Sequence, residues 1–212
     1  MKEITRIEKI YDFDELSDSA KETARRNYLD QFRDADDYST FCVDDLANNH
    51  FPDSDLKVEF SLSSCQGDGF NIYGKMDLKD AINFVMQRRK EKVEKKSKKF
   101  VRFLKWLSEQ GYTIELPNNR MKYSYCYVEC ADYDYQILDC LEQDGYTSGY
   151  KEKENFLEYF DLMFKNCIKE LCKEYEKDGY KYFYEVEDEE IKEIWDANEY
   201  LGWYEDGSPC YS

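Results

Sequence analysis

The sequence predicts an α+β fold, with a mixed or antiparallel sheet built from hairpins and with helices packed on one face. Two patterns indicate this. Apolar and polar residues alternate on both sides of a glycine-rich turn between Val58 and Met76, which is the two-residue period of β-strands. Apolar residues recur at helical spacing from Phe156 to Tyr175. The chain has 212 residues, 42% of them hydrophobic, which suffices for one core, so we assign residues 1–212 to a single domain.

The first third of the chain predicts a strand, two helices and a hairpin. Residues 4–11 alternate as a strand. Ser17 is a good N-cap for a helix that ends near Arg33. A shorter helix then ends before Pro52, because the residue before a proline disfavours helical geometry.

The turn of the hairpin contains Gly67, Asp68 and Gly69, which supply the positive φ angles that a tight reversal needs. Such a loop can also present backbone amides to a phosphate. Asp68 and the net charge of −17 oppose an anion there, so we interpret the turn as structural.

A long helix follows the hairpin, capped by Asp77 or Asp80, and its sequence is basic over residues 88–99. Because its centre is polar, this helix either projects from the body or breaks into two. The basic run contacts phosphates, or it is a solvated helix face offset by acidic surface; we favour the solvated face. The candidate nucleic-acid contacts are Arg88, Arg89, Lys95, Lys96, Lys98 and Lys99.

The rest of the chain predicts two more hairpins and two helices. Residues 112–116 and 121–130 form a second hairpin, whose tyrosine stripe is either a half-buried sheet face or a base-stacking platform. The helix that begins near Phe156 ends at residues 178–179, and the aromatic run 180–186 favours a strand. Glu187 or Asp188 caps a last helix, and the tail is a hairpin that turns at residues 205–208.

Nothing in the sequence points to export, a membrane or a metal. No apolar run approaches the roughly 18 residues that span a bilayer, and residues 1–8 lack the apolar core of a signal peptide. We therefore expect a cytosolic protein whose eight cysteines are mostly reduced. Cys126 and Cys130 have loose metal-ligand spacing, but no second pair accompanies them, so no cofactor is expected. The one histidine, His50, lies near a helix end, where capping or surface roles are commoner than catalysis.

Three stretches carry a recognisable combination of motifs. Residues 11–24 are similar to F-x-E-L-S-x-x-A-K-x-x-A, residues 60–70 to S-x-S-Q-G-D-G, and residues 197–207 to A-N-E-Y-x-F-x-E-D-G. In order and spacing they resemble a family of small proteins encoded by tailed bacteriophages, although Cys65 stands where that family usually has tyrosine or serine. Residues 88–149 lie outside the resemblance, and we interpret them as a family-variable insertion. The resemblance implies the cytoplasm of a bacterial host but no established activity; some members are labelled antitoxins.

The charge and the resemblance together favour an inhibitor. A formal charge of −17 repels nucleic acid and favours partners with basic surfaces. We therefore expect an acidic inhibitor of a host defence system, with an anti-CRISPR protein as the leading hypothesis. Its carboxylates would occupy the nucleic-acid-binding groove of a Cas effector by imitating phosphates. The candidate partner-binding residues are Asp132, Asp134, Asp139, Glu142, Asp144, Glu185, Glu187, Asp188, Glu189 and Glu190.

Two alternatives stay open. An antitoxin-like or regulatory protein would bind a toxin, or would bind nucleic acid through the basic helix. An enzyme would have to be a paired-carboxylate hydrolase or a Mg²⁺-dependent nuclease, since the sequence has neither a Walker loop nor a nucleophile elbow. We expect no enzymatic activity and assign no catalytic residue.

Overall fold

The computed structural model describes residues 8–63, 68–116, 118 and 151–211, and the chain divides into two compact units. We call residues 1–38 and 178–212 the terminal unit, and residues 39–177 the central unit. The fold is α+β, as predicted. The helices are α1 (Asp18–Phe32), α2 (Ala35–Asp45), α3 (Leu78–Lys96), α4 (Lys98–Ser108), α5 (Lys151–Tyr184) and α6 (Asp188–Ala197); the strands are β1 (Asp55–Ser61), β2 (Gly69–Asp77), β3 (Thr113–Leu116), β4 (Gly202–Trp203) and β5 (Pro209–Cys210).

In the terminal unit, α1 begins where the sequence predicted. The Ser17 hydroxyl accepts a hydrogen bond from the Ala20 amide at 3.3 Å, which satisfies one of the free amides of the first turn. Residues 4–7 of the predicted first strand lie outside the described residues. In the rest of that segment, Tyr11 forms an isolated antiparallel bridge with Trp203, so the strand is reduced to one paired residue.

The C-terminal hairpin, predicted from its turn residues, joins β4 to β5. Its Gly207 has a φ of +83°, and a Cβ at that position would lie 2.0 Å from the carbonyl oxygen of Ala20. No side chain can replace glycine there without moving the hairpin away from α1.

The central unit contains a three-stranded antiparallel sheet in the order β1-β2-β3. Val58 pairs with Ile72, and Met76 pairs with Ile114, so buried apolar side chains share one face. The first hairpin is therefore confirmed, although residues 64–67 of its turn lie outside the described part. The Asp68 carboxylate accepts from the hydroxyls of Ser61 and Ser63 at 3.3 and 3.2 Å, a structural use of that side chain.

The long basic helix breaks into two rather than continuing. Ser97 is extended, and its hydroxyl accepts from the Phe100 amide at 3.0 Å, so it caps a separate helix, α4. α3 is also kinked at Arg89, where φ is −128° and ψ is 25°. The apolar face of α4, with Phe100 and Leu104 buried, resumes after this break as expected.

The predicted end of the long C-terminal helix α5 was wrong. Helix α5 does not end at residues 178–179, and residues 180–184 are helical rather than a strand. Gly179 lacks the positive φ that commonly ends a helix. Tyr182 stacks on Tyr38 with ring centroids 5.1 Å apart, a contact within the terminal unit that the helical conformation makes. Packing of these rings has outweighed their intrinsic preference for strands.

Candidate interaction surface

The terminal unit packs α6 against α1 through an aromatic core. Trp195 of α6 stacks on Trp203, with ring centroids 4.6 Å apart and 21° between the planes. Phe13 meets Trp203 edge to face at 5.3 Å. All three side chains are buried, and the Trp195 indole donates to the Gly202 carbonyl at 3.3 Å. This core orients the start of α6, where four of the ten predicted partner-binding carboxylates lie.

Asp188, one of those carboxylates, is engaged within the unit. The Arg25 guanidinium of α1 donates from Nε to Oδ1 at 2.8 Å and from Nη2 to Oδ2 at 3.0 Å. The hydrogen bonds to Asp188 raise the pKa of Arg25. A two-point pair of this kind fixes both position and orientation, so Asp188 serves to join α6 to α1.

Glu190 is also engaged within the unit. Its Oε1 accepts from the Tyr28 hydroxyl at 2.9 Å and also forms an ion pair with Arg33. Burial, reinforced by Glu190, raises the pKa of Tyr28 to about 12. The Arg33 guanidinium lies 4.7 Å from the ring centroid of Tyr182, which adds a cation–π contact to the same cluster.

The other three carboxylates in this group, Glu185, Glu187 and Glu189, are exposed. Glu187 and Glu189 lie at the start of α6, where acidic residues interact favourably with the positive end of the helix dipole, which is a structural reason for their presence. Glu185 instead directly follows the last residue of α5. The exposure of all three leaves them able to contact a partner as well. Asp132, Asp134, Asp139, Glu142 and Asp144 lie outside the described residues.

Negative charge is concentrated in the terminal unit. Its 73 residues include 22 aspartates and glutamates but only nine lysines and arginines, a formal charge of −13. The 139 residues of the central unit include 25 acidic and 21 basic side chains, a formal charge of −4. Within the terminal unit, three cations are already held in ion pairs: Arg25, Arg33 and Lys192. The terminal unit therefore presents a surface of predominantly one sign, able to attract a basic partner.

In the central unit, the two arginines of the basic run are committed to structure. Arg88 donates to both carboxylate oxygens of Glu174 at 2.8 and 2.7 Å, and its guanidinium lies 4.8 Å from the ring centroid of Phe84. Arg89 forms an ion pair with Glu170. Both guanidiniums therefore serve to hold α3 against α5.

The lysines of the basic run are more exposed than the arginines. The ammonium of Lys95 lies 3.3 Å from Glu91, one turn earlier in α3, as on a solvated helix face. Lys96 lies over the ring of Tyr159 at 4.2 Å from its centroid. Residues 98–99 are exposed in the first turn of α4. The predicted nucleic-acid contacts thus do not act as one set, because at least four of the six contact other side chains of the central unit.

His50 lies in a π-helical turn, Leu46–His50, that continues α2. Its Nε2 is 3.5 Å from Oδ2 of Asp45, an oxygen that accepts from the Tyr175 hydroxyl at 2.5 Å. The imidazole packs edge to face on Phe84 at 5.6 Å, and its Nδ1 has no hydrogen-bond partner within the described residues. Burial lowers the pKa of His50, which favours a neutral packing residue over the capping or surface role that the sequence suggested.

Residues that could hold a metal do not meet in the described ranges, where no three histidine, cysteine or carboxylate side chains come together as a metal site requires. Among the helices described, none is long and apolar enough to cross a membrane. No family model, curated protein or solved structure matches the chain. The candidate surface therefore rests on its own geometry and charge.

Proposed function

We propose that this protein is a phage-encoded acidic inhibitor of a bacterial defence system, and specifically an anti-CRISPR protein. In this mechanism the terminal unit enters a basic groove of a Cas effector and presents carboxylates where the effector binds nucleic-acid phosphates. The inhibition is steric and electrostatic, and it uses no catalytic residue.

The observation that carries the proposal is the concentration of charge in the terminal unit. The terminal unit has a formal charge of −13 over 73 residues, whereas the central unit has only −4 over 139 residues. The ion pairs of Arg25, Arg33 and Lys192 each engage one carboxylate, so the net charge of the unit is carried by its other acidic side chains. A rigid acidic body complements a groove that has evolved to hold a polyanion.

The exposed residues Glu185, Glu187 and Glu189 form the contact region of the proposed interface, with Asp188 and Glu190 fixing its orientation. Asp132, Asp134, Asp139, Glu142 and Asp144 of the central unit are further candidate partner contacts on charge alone. The phage attribution is supported by the three motifs at residues 11–24, 60–70 and 197–207.

Salt dependence of binding to a purified Cas effector tests the mechanism. We expect affinity to fall at least about tenfold when NaCl is raised to about 0.5 M, because mobile ions screen exposed charges over short distances. Unchanged affinity at that salt would rule out phosphate mimicry. Failure to bind any Cas effector at low salt would rule out the anti-CRISPR function itself.

The alternative, an antitoxin-like protein that binds nucleic acid through α3 and α4, is supported by the exposure of residues 95, 98 and 99. Electrophoretic shifts with duplex DNA and with RNA discriminate between the two functions. A shift that disappears when Lys95, Lys96, Lys98 and Lys99 are replaced by glutamate would favour the alternative over mimicry.

A further inference from the structure

Strand β1 forms one edge of the three-stranded sheet in the central unit. β2 pairs with one side of it, and no described strand pairs with the other side. The pairing with β2 runs over all seven residues in one uninterrupted register, so no bulge twists this edge away. In an antiparallel strand every second residue points its amide and carbonyl away from the neighbour already paired. β1 therefore offers backbone donors and acceptors to another strand.

The sequence of β1 lacks the features by which proteins commonly block a sheet edge. It contains no proline, and the positions that share the apolar face of the sheet, Leu56, Val58 and Phe60, carry no charge. A charged side chain on that face would have to be buried by an incoming strand. Without one, a further strand can extend both the hydrogen-bond ladder and the apolar face.

The opposite face of β1 carries two charges of unlike sign. Lys57 and Glu59 lie there, and neither forms an ion pair within the described part of the chain. Their cross-strand neighbours on β2 are Tyr73 and Asn71, which supply no counter-charge. A strand that pairs with the outer edge of β1 would place its own side chains directly opposite both charges.

A second copy of β1 complements these charges in one antiparallel register. When the two copies of Val58 face each other across a two-fold axis, Lys57 of each copy lies opposite Glu59 of the other. Leu56 then lies opposite Phe60, so the apolar face continues from one sheet into the next. Moving the axis to Lys57 or to Glu59 places that residue opposite its own copy, where like charges repel.

We propose that the central unit forms a two-fold dimer by edge-to-edge pairing of β1, centred on Val58. Backbone hydrogen bonds between the two edges contribute most of the affinity, and the two pairs of Lys57 with Glu59 select the register. One short strand makes a small interface, so we expect a dissociation constant of about 10 to 100 µM. The inference goes beyond the proposed function and does not depend on it, because it is tested on the protein alone.

Sedimentation equilibrium of the intact protein between about 5 and 500 µM tests for the dimer. About 0.15 M NaCl is used, since charges more than about 8 Å apart are then largely screened and the net charge of −17 opposes association less. We expect a reversible monomer–dimer equilibrium, with slower hydrogen exchange of β1 amides at the higher concentration. A monomer throughout, or a dimer in which exchange of residues 55–61 is unchanged, overturns the inference.

Charge reversal tests the register. Lys57→Glu and Glu59→Lys each place like charges opposite one another twice, so each should weaken self-association at least about tenfold. The two substitutions change the net charge in opposite directions, so a loss in both cannot come from overall repulsion. Mixing the two variants restores both unlike pairs between them, and the mixture should dimerise within about threefold of the unsubstituted protein. A mixture that associates no better than either variant alone overturns the register.

Lys105→Glu is the matched control. It changes the net charge by the same amount as Lys57→Glu, at an exposed position of α4 outside the sheet, and should leave the dissociation constant within about threefold. An equal loss in Lys105→Glu and Lys57→Glu would contradict pairing at β1. Far-UV circular dichroism establishes that the variants are folded, and recovery of association in the mixture shows independently that neither substitution has disrupted β1.

Discussion

Arg25 and Asp188, which lie 163 positions apart in the sequence, form a two-point ion pair in which Nε and Nη2 of the arginine reach both carboxylate oxygens. About a third of each side chain is exposed, so the pair is neither free in solvent nor fully desolvated. It joins the first turn of α6 to α1. Asp188, which the sequence predicted to contact a partner, therefore helps to hold the terminal unit together.

We expect this pair to stabilise the terminal unit by about 1 kcal/mol, since its geometry is bidentate but solvent still screens it. A double-mutant cycle with Arg25→Ala and Asp188→Ala, measured by urea denaturation, gives the coupling energy. The matched control is the cycle with Arg25→Ala and Glu22→Ala, because Glu22 approaches the same guanidinium at 3.5 Å from a highly exposed position. A coupling energy for Asp188 no larger than that for Glu22 would contradict a structural role.

Tyr28 should make stability fall at high pH. Its pKa is raised from 10 to about 12 in the folded protein, so the unfolded chain loses this proton first, and stability decreases as pH rises from 10 towards 12. Tyr28→Phe should cost about 1 kcal/mol at neutral pH by removing the hydrogen bond to Glu190. Tyr28→Phe should also make the decrease in stability at high pH smaller, because the variant lacks the hydroxyl that titrates there. Urea midpoints at pH 7 measure the first effect and urea midpoints between pH 9 and 11.5 measure the second, with Tyr184→Phe, at an exposed tyrosine, as the control.

His50 should make stability fall as the pH is lowered into the mildly acidic range. Burial lowers the pKa of His50 below the ordinary histidine value of about 6.5, so the unfolded chain takes up this proton first as pH falls. Stability should therefore decline from pH 6.5 to about 5, a range above the ordinary titration of carboxylates. His50→Asn should remove that part of the decline, as measured by urea midpoints at half-unit steps. A decline of the same steepness in the variant would show that another group causes it.

The elements that the sequence predicted correctly depend on residues only a few positions apart. Ser17 and Asp77 cap their helices through hydrogen bonds to amides two or three residues later. The strands flanking residue 66 alternate in apolar character because one sheet face is buried. Such patterns are complete within a short window, so they can be interpreted without tertiary information.

The errors concern contacts between distant segments. Residues 180–184 have strand-forming side chains, but the ring of Tyr38, more than 140 positions earlier, packs against them in helical conformation. In the same way, nothing in the spacing of Asp188 and Glu190 indicates that Arg25 and Arg33 will reach them. The uneven distribution of charge also depends on which segments join the terminal unit, so the net charge alone did not locate the candidate surface.

Gly207 should tolerate no side chain. A Cβ there would lie 2.0 Å from the Ala20 carbonyl oxygen and the backbone φ is +83°, so Gly207→Ala combines a clash with left-handed strain. We expect Gly207→Ala to lower the free energy of unfolding by at least about 2 kcal/mol, as measured by urea denaturation monitored by far-UV circular dichroism. Gly111→Ala is the matched control. Gly111 has a φ of +69° and nothing within 4 Å of the Cβ position, so only the strain of about 1 kcal/mol should appear. Equal losses at the two positions would contradict the close approach of hairpin and helix.

Neutralising exposed carboxylates of the terminal unit should weaken partner binding more than neutralising the described exposed carboxylates of the central unit. Glu185→Gln, Glu187→Gln and Glu189→Gln together remove three negative charges from the proposed interface while the pairs of Asp188 and Glu190 are kept. We expect affinity for the Cas effector at low salt to fall about tenfold or more, with a shallower dependence on salt, because fewer charges meet the basic groove.

The matched control removes three exposed carboxylates from the central unit: Glu94→Gln, Glu109→Gln and Glu158→Gln. It changes the net charge by the same amount, so an effect of overall charge alone would appear equally in both triple variants. Local complementarity at the terminal unit instead predicts that the control keeps its affinity within about threefold. If the control loses as much affinity as the terminal-unit variant, the partner recognises net charge rather than this surface. Isothermal titration calorimetry at two salt concentrations distinguishes these outcomes, since both the affinity and its salt slope are measured on the same folded variants.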